Sequence, residues 1–250
     1  MPDIAPSSDP SPGTAREFTT THWSVVVEAG LTDSPNAAAA MARLCEKYWY
    51  PLYLYVRRKG HSTDDAKDLT QEFFARLLAR NFLNAADRNR GRFRSFLLGA
   101  LEHFLAREWT KGHAQKRGGG QPVFSLDELD AENRYLREPI DESTPDKIFA
   151  RRWATTVLQH AMERLREECH AERKQEFMKR VEGLLSGEKS EAAYAQIGAE
   201  LGLSKGAVKV AVHRLRRRFG ELVRAEIAET VADSESVNDE LRELFDALRD

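Results

Sequence analysis

The chain has 250 residues, which is enough for one large or two small domains with a buried core. Apolar residues make up 41% and charged residues 31% of it, a balance typical of soluble, helix-rich proteins. The formal net charge of -2 does not by itself indicate a nucleic-acid partner. The charge is segregated, however, because 88–117 and 205–218 are cationic whereas 127–146 and 233–250 are dominated by Asp and Glu.

Cysteine usage and hydropathy exclude several classes of protein. Two distant cysteines, Cys45 and Cys169, make a disulfide framework implausible, so we expect buried, reduced thiols. The N-terminal residues lack the basic and apolar stretches of a secretion signal. No apolar run approaches the ~20 residues that cross a bilayer. We therefore expect a cytoplasmic protein with no membrane partner.

The front of the chain is predicted to be helical after a disordered tail at 1–17, which is rich in Pro, Ser and Gly. Pro35 is typical of a first helical position, and this helix should end near Gly60. Residues 62–65 open a second helix with acidic side chains favourably placed in its first turn. A polar loop over 81–92 follows.

A third helix, predicted over Phe93–Lys111, has one apolar and one basic side. The apolar positions, which recur at helical spacing, are Leu97, Leu101, Phe104 and Leu105. The basic positions, four residues apart, are His103, Arg107 and Lys111. Glycines 118–120 interrupt this pattern, and the acidic segment 118–147 is predicted to be a flexible linker.

Helical periodicity resumes behind the linker. Helices are predicted over Pro145–Glu172 and Lys174–Leu185, followed by a pair of helices over 194–231. The last helix, Val237–Leu248, is apolar on one side and acidic on the other, so it either packs on the preceding helices or binds a regulator. No segment has the period of a strand, and the predicted class is therefore all-α.

Residues 194–219 carry the pattern of a helix-turn-helix motif, whose second helix enters the DNA major groove. The first apolar stripe consists of Tyr194, Ile197, Gly198 and Leu201. Gly202 can adopt a positive φ, and Ser204 is a favourable N-cap for the second helix. The inward positions of that helix are Val208, Val212 and Leu215. Its outward cationic positions are Lys205, Lys209, His213, Arg216 and Arg217. A solvated basic helix in an ordinary bundle is the alternative.

A search for catalytic motifs finds no support for an enzyme. Neither HExxH nor CxxC occurs, Cys169-His170 has no second ligand pair at metal spacing, and the glycine run lacks the residues of a phosphate loop. Asp64, Asp65 and Asp68 are better explained as acidic residues in the first turn of a helix. We therefore expect no catalysis, no metal and no cofactor.

The segment DAKDLTQEFF at 65–74 resembles the DAxDLxQxxF signature of extracytoplasmic-function sigma factors of bacterial RNA polymerase. The basic third helix and the helix-turn-helix follow in the family's order, so the resemblance covers 41–117 and 149–223. It implies that the second helix binds the core polymerase. The implied polymerase-binding residues are Asp65, Asp68, Gln71, Glu72, Phe74 and Arg76. Phe74 fits a purely core position equally well.

The resemblance also implies that the third helix and the preceding loop bind the single strand of the minus-ten promoter element. Cationic grooves with stacking aromatic rings suit such a strand. The implied residues are Arg88, Arg92, Phe93, Phe96, His103, Arg107, Trp109 and Lys111. Their aromatic members could instead belong to the core. Where family members carry Trp, Asn and Asp on this helix, the chain has Phe96, His103 and Arg107, which leaves the promoter sequence open.

The helix-turn-helix would read the minus-thirty-five element as duplex, with the first residues of its second helix near bases and later cations near phosphates. The implied residues are Ser204, Lys205, Lys209, His213, Arg214, Arg216 and Arg217. His213 is equally well explained as a polar surface residue.

Together these features predict two helical domains joined by the acidic linker. The predicted divisions are a tail at 1–17, a front domain at 18–117, the linker at 118–147, a helix-turn-helix domain at 148–231 and an extension at 232–250. The implied partners are core polymerase and promoter DNA, with an anti-sigma factor or another regulatory protein as a further candidate. A stand-alone helix-turn-helix regulator and a helical nucleic-acid enzyme are the alternatives.

Overall fold

A computed structural model describes residues 35–78, 93–112, 135, 144–186, 191–231 and 236–249. Within these ranges the chain forms eight helices and no strand. Their bounds are α1 Pro35–Arg58, α2 Thr63–Leu78, α3 Phe93–Gly112, α4 Pro145–Ala171, α5 Gln175–Ser186, α6 Glu191–Leu201, α7 Lys205–Ala228 and α8 Ser236–Arg249. The all-α prediction is confirmed for this part of the chain. The division into two domains with an acidic linker stays a prediction.

Several predicted segments lie outside these ranges. They are the tail at 1–17, the loop at 81–92 and nearly all of the linker at 118–147. None of the described helices is long and apolar enough to cross a membrane.

Side-chain caps determine where several helices begin. The Asp65 amide donates to the Ser62 hydroxyl at 3.1 Å, and that hydroxyl donates to the Asp65 carboxylate at 2.7 Å. Thr144 caps α4 by accepting from the Lys147 amide, and a proline occupies the first position of the helix. These contacts satisfy amides that have no partner within the helix. The start of α2 at 62–65 is thereby confirmed.

Helices α1 and α4 pack along each other at the centre of the molecule. The Trp153 indole nitrogen donates to the Tyr48 hydroxyl at 3.1 Å, and both rings are buried. Farther along, the rings of Tyr55 and Phe149 meet edge to face with centroids 6.4 Å apart. Such edge-to-face contacts add to the free energy gained from burying the rings.

The front helices α2 and α3 pack against α1. Phe73 and Phe104 place their ring centroids 5.8 Å apart, and Phe93 meets Tyr48 edge to face at 5.1 Å. The apolar stripe predicted for α3 is confirmed, since Leu97, Leu101 and Phe104 are buried. These three residues belong to one continuous core, and Leu105 packs against it.

That core includes residues of both predicted domains. Buried side chains of α4, α7 and α8, such as Leu165, Ile227 and Leu244, belong to the same cluster as those of α1–α3. Ion pairs add to this contact, because Lys47 of α1 lies 2.5 Å from Glu226 of α7. Arg164 of α4 lies 2.8 Å from the same carboxylate. The front and rear segments are therefore in direct contact in this structure.

Candidate nucleic-acid interface

The turn between α6 and α7 has the backbone geometry that a helix-turn-helix requires. Gly202 has a φ of 66°, a conformation that L side chains rarely adopt. The Leu203 amide donates to the Gly198 carbonyl at 2.8 Å. A Cβ on Gly198 would lie 2.7 Å from the Leu203 carbonyl oxygen, so this position has no room for a side chain. Ser204 caps α7 by accepting from the Ala207 amide at 3.1 Å. The predicted roles of Gly202 and Ser204 are confirmed.

Helix α7 is held by its apolar side and exposes the other. Val208 and Val212 are buried together with Tyr194 and Ile197 of α6. On the opposite side Val210 is 52% exposed, so the side of the helix that faces solvent is partly apolar.

Lys205 and Lys209, the predicted base-side residues, share a carboxylate of α6. Their ammonium groups lie 2.5 Å and 2.9 Å from the two Glu191 oxygens. Hydrogen bonds from Lys205 and Lys209 lower the pKa of Glu191 to about 2. All three side chains are about half exposed, so the pairs are weak and a DNA phosphate could replace the carboxylate. The structure thus keeps both lysines at the surface while neutralising one of their two charges.

The arginines farther along α7 are committed to other contacts. Arg216 donates from Nε to the Leu184 carbonyl at 3.1 Å and so closes the end of α5. Arg217 pairs with Glu221, and Arg218 donates to Glu168 of α4 at 2.8 Å. Hydrogen bonds that Arg218 donates to Glu168 and Glu221 raise its pKa above the ordinary value. Arg216 therefore has a structural role, and its predicted contact with DNA stays a prediction.

Two cations of α7 differ from these. His213 and Arg214 are exposed, and within the described residues neither forms an ion pair. Arg214 lies beside a largely apolar groove of about 760 Å³ between α4, α5 and α7, which Cys169, Phe177 and Val210 also line. His213 and Arg214 thus differ from Lys205, Lys209 and Arg217, each of which pairs with a carboxylate.

A second accessible surface lies along α3. Trp109 is 70% exposed, and His103 and Arg107 are exposed on the same helix. Phe96 is half-buried with its ring centroid 6.4 Å from that of Phe93. Exposed cations and a large exposed ring are the side chains that hold single-stranded nucleic acid.

Two predicted contact residues are corrected by their burial. Phe93 was predicted to stack on a base, but its ring is completely buried against Tyr48. Phe74 was predicted to touch polymerase, but its ring is completely buried beside Phe73. Both residues belong to the side of their helix that faces α1, and their apolar surface is worth more in the core than in water.

The polar residues predicted for polymerase binding on α2 have different surroundings. Asp65 completes the cap of its own helix with Ser62. Arg76 pairs with Glu72 and also with Glu108 of α3 at 2.8 Å, so it joins the two helices. Asp68 is exposed, whereas Gln71 is half-buried. Of this set Asp65, Asp68 and Glu72 are exposed, and Asp65 and Glu72 already have the partners named above.

Sequence reasoning missed Arg94. Its guanidinium lies 4.5 Å from the centroid of the Trp153 ring and pairs with Glu240 of α8 at 2.9 Å. No local spacing predicts a contact between residues 146 positions apart in the chain.

Three predicted contact residues cannot be placed. Arg88 and Arg92 lie outside the described residues, and so does the side chain of Lys111. Within the described residues no three His, Cys, Asp or Glu side chains lie close enough to hold a metal ion.

The chain matches no protein-family model, no curated protein and no solved structure.

Proposed function

We propose that this chain is a sigma factor, which binds core bacterial RNA polymerase and directs it to specific promoters. The observation that supports the proposal is that the described part of the chain has two dissimilar exposed surfaces with cationic side chains, one on α7 and one on α3. The helix-turn-helix suits a duplex, and the exposed side of α3 suits a single strand. An initiation factor needs both surfaces because promoter opening converts duplex into single strands.

The duplex surface would be the exposed part of α7. Its N-terminal residues, including Ser204, Lys205 and Lys209, would lie nearest the base edges, and His213, Arg214 and Arg217 would lie nearer phosphates. The lysines would exchange the Glu191 carboxylate for DNA, whereas His213 and Arg214 need no such exchange. We therefore assign Arg214 a larger share of the affinity than its late position in the motif suggests.

The single-strand surface would be the exposed part of α3, which carries Trp109 on one side and the cations His103 and Arg107 on another. A ring with 70% exposure can stack on a base at little cost to stability. Phe93, being buried, is not part of this surface.

Docking on the core polymerase would use the exposed side of α2, where Asp68 and Glu72 are accessible. This part of the proposal rests on the resemblance of residues 65–74 to the sigma-factor signature. The two-domain division and the acidic linker belong to the same proposal: once polymerase fixes their separation, two weak DNA-binding domains bind together more tightly than either alone.

The test is a run-off transcription assay with purified chain, bacterial core polymerase and a pool of randomised promoter fragments. Initiation from selected sequences, lost in an Arg107→Ala, Arg214→Ala double variant, is the expected result. Arg242→Ala is the matched control, because Arg242 is an exposed arginine on α8 that pairs only locally with Asp239. Absence of initiation with every fragment pool would contradict the proposal.

A stand-alone helix-turn-helix regulator is the second candidate. The shared core favours it, because contact between the front and rear segments fixes the position of α7 without polymerase. Such a regulator should dimerise and bind a palindromic duplex. Duplex binding by a dimer without initiation would select this candidate, and covalent change of the nucleic acid would select an enzyme instead.

A further inference from the structure

Three rear elements converge on the first turn of α3. Glu240 and Glu243 of α8 both pair with Arg94, the second residue of α3. Trp153 of α4 lies beneath the same guanidinium. The Phe93 amide donates to the carbonyl of Thr230, just beyond the end of α7, at 3.0 Å.

These contacts are largely screened from water. The Glu240 side chain is 1% exposed and that of Arg94 is 13% exposed, whereas Glu243 is 46% exposed. Burial by itself would lower the pKa of Arg94, but the charge of Glu240 and hydrogen bonds to both carboxylates outweigh it and raise that pKa above its ordinary value. Arg94 therefore stays charged and depends on α8 for its counter-charge.

A guanidinium binds a carboxylate and a phosphodiester with the same fork of N–H donors. Arg94 cannot serve both at once, because Glu240 and Glu243 occupy it in this structure. The helix that carries Arg94 also carries the exposed cations His103 and Arg107 and the exposed Trp109. Helical spacing places Arg94 on the same side of α3 as Trp109, about four turns away, and opposite His103. Release of α8 would thus free a cation on the side of α3 that carries the exposed ring.

We infer that α8 is an autoinhibitory clasp: Glu240 and Glu243 hold Arg94 and close the start of α3 against the rear segment, and the phosphates of single-stranded DNA compete with them for Arg94. The inference rests on the proposed use of α3 as a single-strand surface. It gives the C-terminal helix a regulatory role that its amphipathic pattern alone does not indicate. The free chain is the closed form, and nucleic acid favours the open one because it binds more tightly when Arg94 is released.

The experiment compares the full chain with its Glu240→Gln, Glu243→Gln double variant. The matched control is Asp239→Asn, Asp246→Asn, which removes two carboxylates of the same helix that pair with Arg242 and Arg249 instead of α3. Two quantities are measured, namely hydrogen exchange of the Phe93 amide by NMR and binding of a fluorescent, mixed-sequence 30-nucleotide single strand. Glu243→Gln alone, which keeps the buried pair, serves if the double variant does not fold.

In the double Gln variant the Phe93 amide should exchange faster than in the parent. The affinity for the single strand should rise by about fivefold or more, which is within the usual range of coupling between sites. Glu243→Gln alone should show a smaller gain in the same direction. On an Arg94→Met background the same Gln substitutions should not change DNA binding.

Unchanged exchange and unchanged binding would overturn the inference. An equal gain in the Asp239→Asn, Asp246→Asn control would also overturn it, since bulk charge would then explain the effect. Faster exchange of the Phe93 amide without tighter DNA binding would contradict the claim that DNA phosphates compete for Arg94. Failure of the sigma-factor proposal gives a different result. Initiation would then be absent in the transcription assay, while the exchange and DNA-binding measurements would still show the changes expected here.

Discussion

The Trp153 indole nitrogen donates a hydrogen bond to the Tyr48 hydroxyl across the contact between α4 and α1, with a distance of 3.1 Å. Both side chains are buried, and burial together with the charge of Glu240 raises the pKa of Tyr48 above its ordinary value. The hydroxyl therefore keeps its proton to a higher pH than an exposed tyrosine does, and its oxygen accepts this bond. The contact joins segments that lie on either side of the acidic stretch in the sequence.

Tyr48→Phe should lower the free energy of unfolding by about 1–3 kcal/mol, because it leaves the buried Trp153 N–H without an acceptor. Urea unfolding followed by tryptophan fluorescence measures this change. Tyr50→Phe is the control, since Tyr50 is only half-buried and accepts from Arg152 at 3.3 Å. An equal loss in both variants would argue against a special role for the Tyr48 contact.

Gly198→Ala should disrupt the helix-turn-helix, because the new Cβ would lie 2.7 Å from the Leu203 carbonyl oxygen. We expect a loss of about 1–3 kcal/mol in unfolding free energy, as for other overpacked sites, together with weaker duplex binding. Gly220→Ala in α7 is the matched control, because nothing lies within 4 Å of the added Cβ. That substitution should instead stabilise the protein by about 0.5–1 kcal/mol. Denaturant unfolding of both variants is the measurement.

Glu191→Gln should tighten binding to a nonspecific duplex, since it releases the charges of Lys205 and Lys209. We expect an increase of about two- to fivefold at low salt and a steeper dependence on salt concentration. Fluorescence anisotropy with a labelled duplex measures both quantities. Lys209→Ala should act in the opposite direction and leave polymerase association unchanged.

Glu176→Gln provides the comparison for Glu191→Gln, because Glu176 is exposed and pairs with Arg180 of its own helix. If both Gln variants gain the same affinity for the duplex, the gain comes from the change in net charge and not from the two lysines of α7.

Trp109→Ala should weaken binding of single-stranded DNA by about 1–3 kcal/mol, the usual contribution of one stacked base. Its effect on unfolding should be small because the ring is 70% exposed. Thr110→Ala changes the next exposed residue, whose hydroxyl donates to the Ala106 carbonyl at 2.9 Å, and should leave DNA binding unaltered. If Trp109→Ala binds single-stranded DNA as tightly as the parent does, Trp109 is not part of the proposed binding surface.

Stability should fall with decreasing pH in a way that depends on Glu226. Burial acts to raise the pKa of Glu226, but hydrogen bonds from Lys47 and Arg164 outweigh it and hold the pKa below the ordinary value of 4.5. The unfolded chain therefore takes up this proton first as the pH falls. The contribution of Glu226 is present above about pH 4.5 and is lost as the pH falls through the lower, folded value.

The difference in unfolding free energy between the parent and Glu226→Gln should therefore be smaller at pH 4 than at pH 6. At pH 6 the variant should be less stable by about 1–3 kcal/mol, because two cations lose their shared carboxylate. Glu182→Gln, which loses only a surface pair with Arg166, should change stability by about 0–1 kcal/mol. A gap between parent and Glu226→Gln that widens toward pH 4 would contradict this prediction.

Helices and turns could be predicted from the sequence alone because their determinants are local. The Ser204 hydroxyl reaches an amide three residues away, and Gly202 adopts its positive φ within a single turn. The apolar period of α3 likewise predicts that Leu97, Leu101 and Phe104 are buried. The same period includes Phe93, four residues before Leu97, and its burial against Tyr48 agrees with the core alternative.

The sequence by itself determined the all-helical class of the described residues, the caps and the glycine turn of the helix-turn-helix, since backbone hydrogen bonds and side-chain period act over a few residues. Only the tertiary structure decided which cations are already paired. Glu191 is 18 residues from Lys209, and Glu240 is 146 residues from Arg94. Such contacts follow from how helices pack, because electrostatic attraction depends on distance in space and not on separation along the chain.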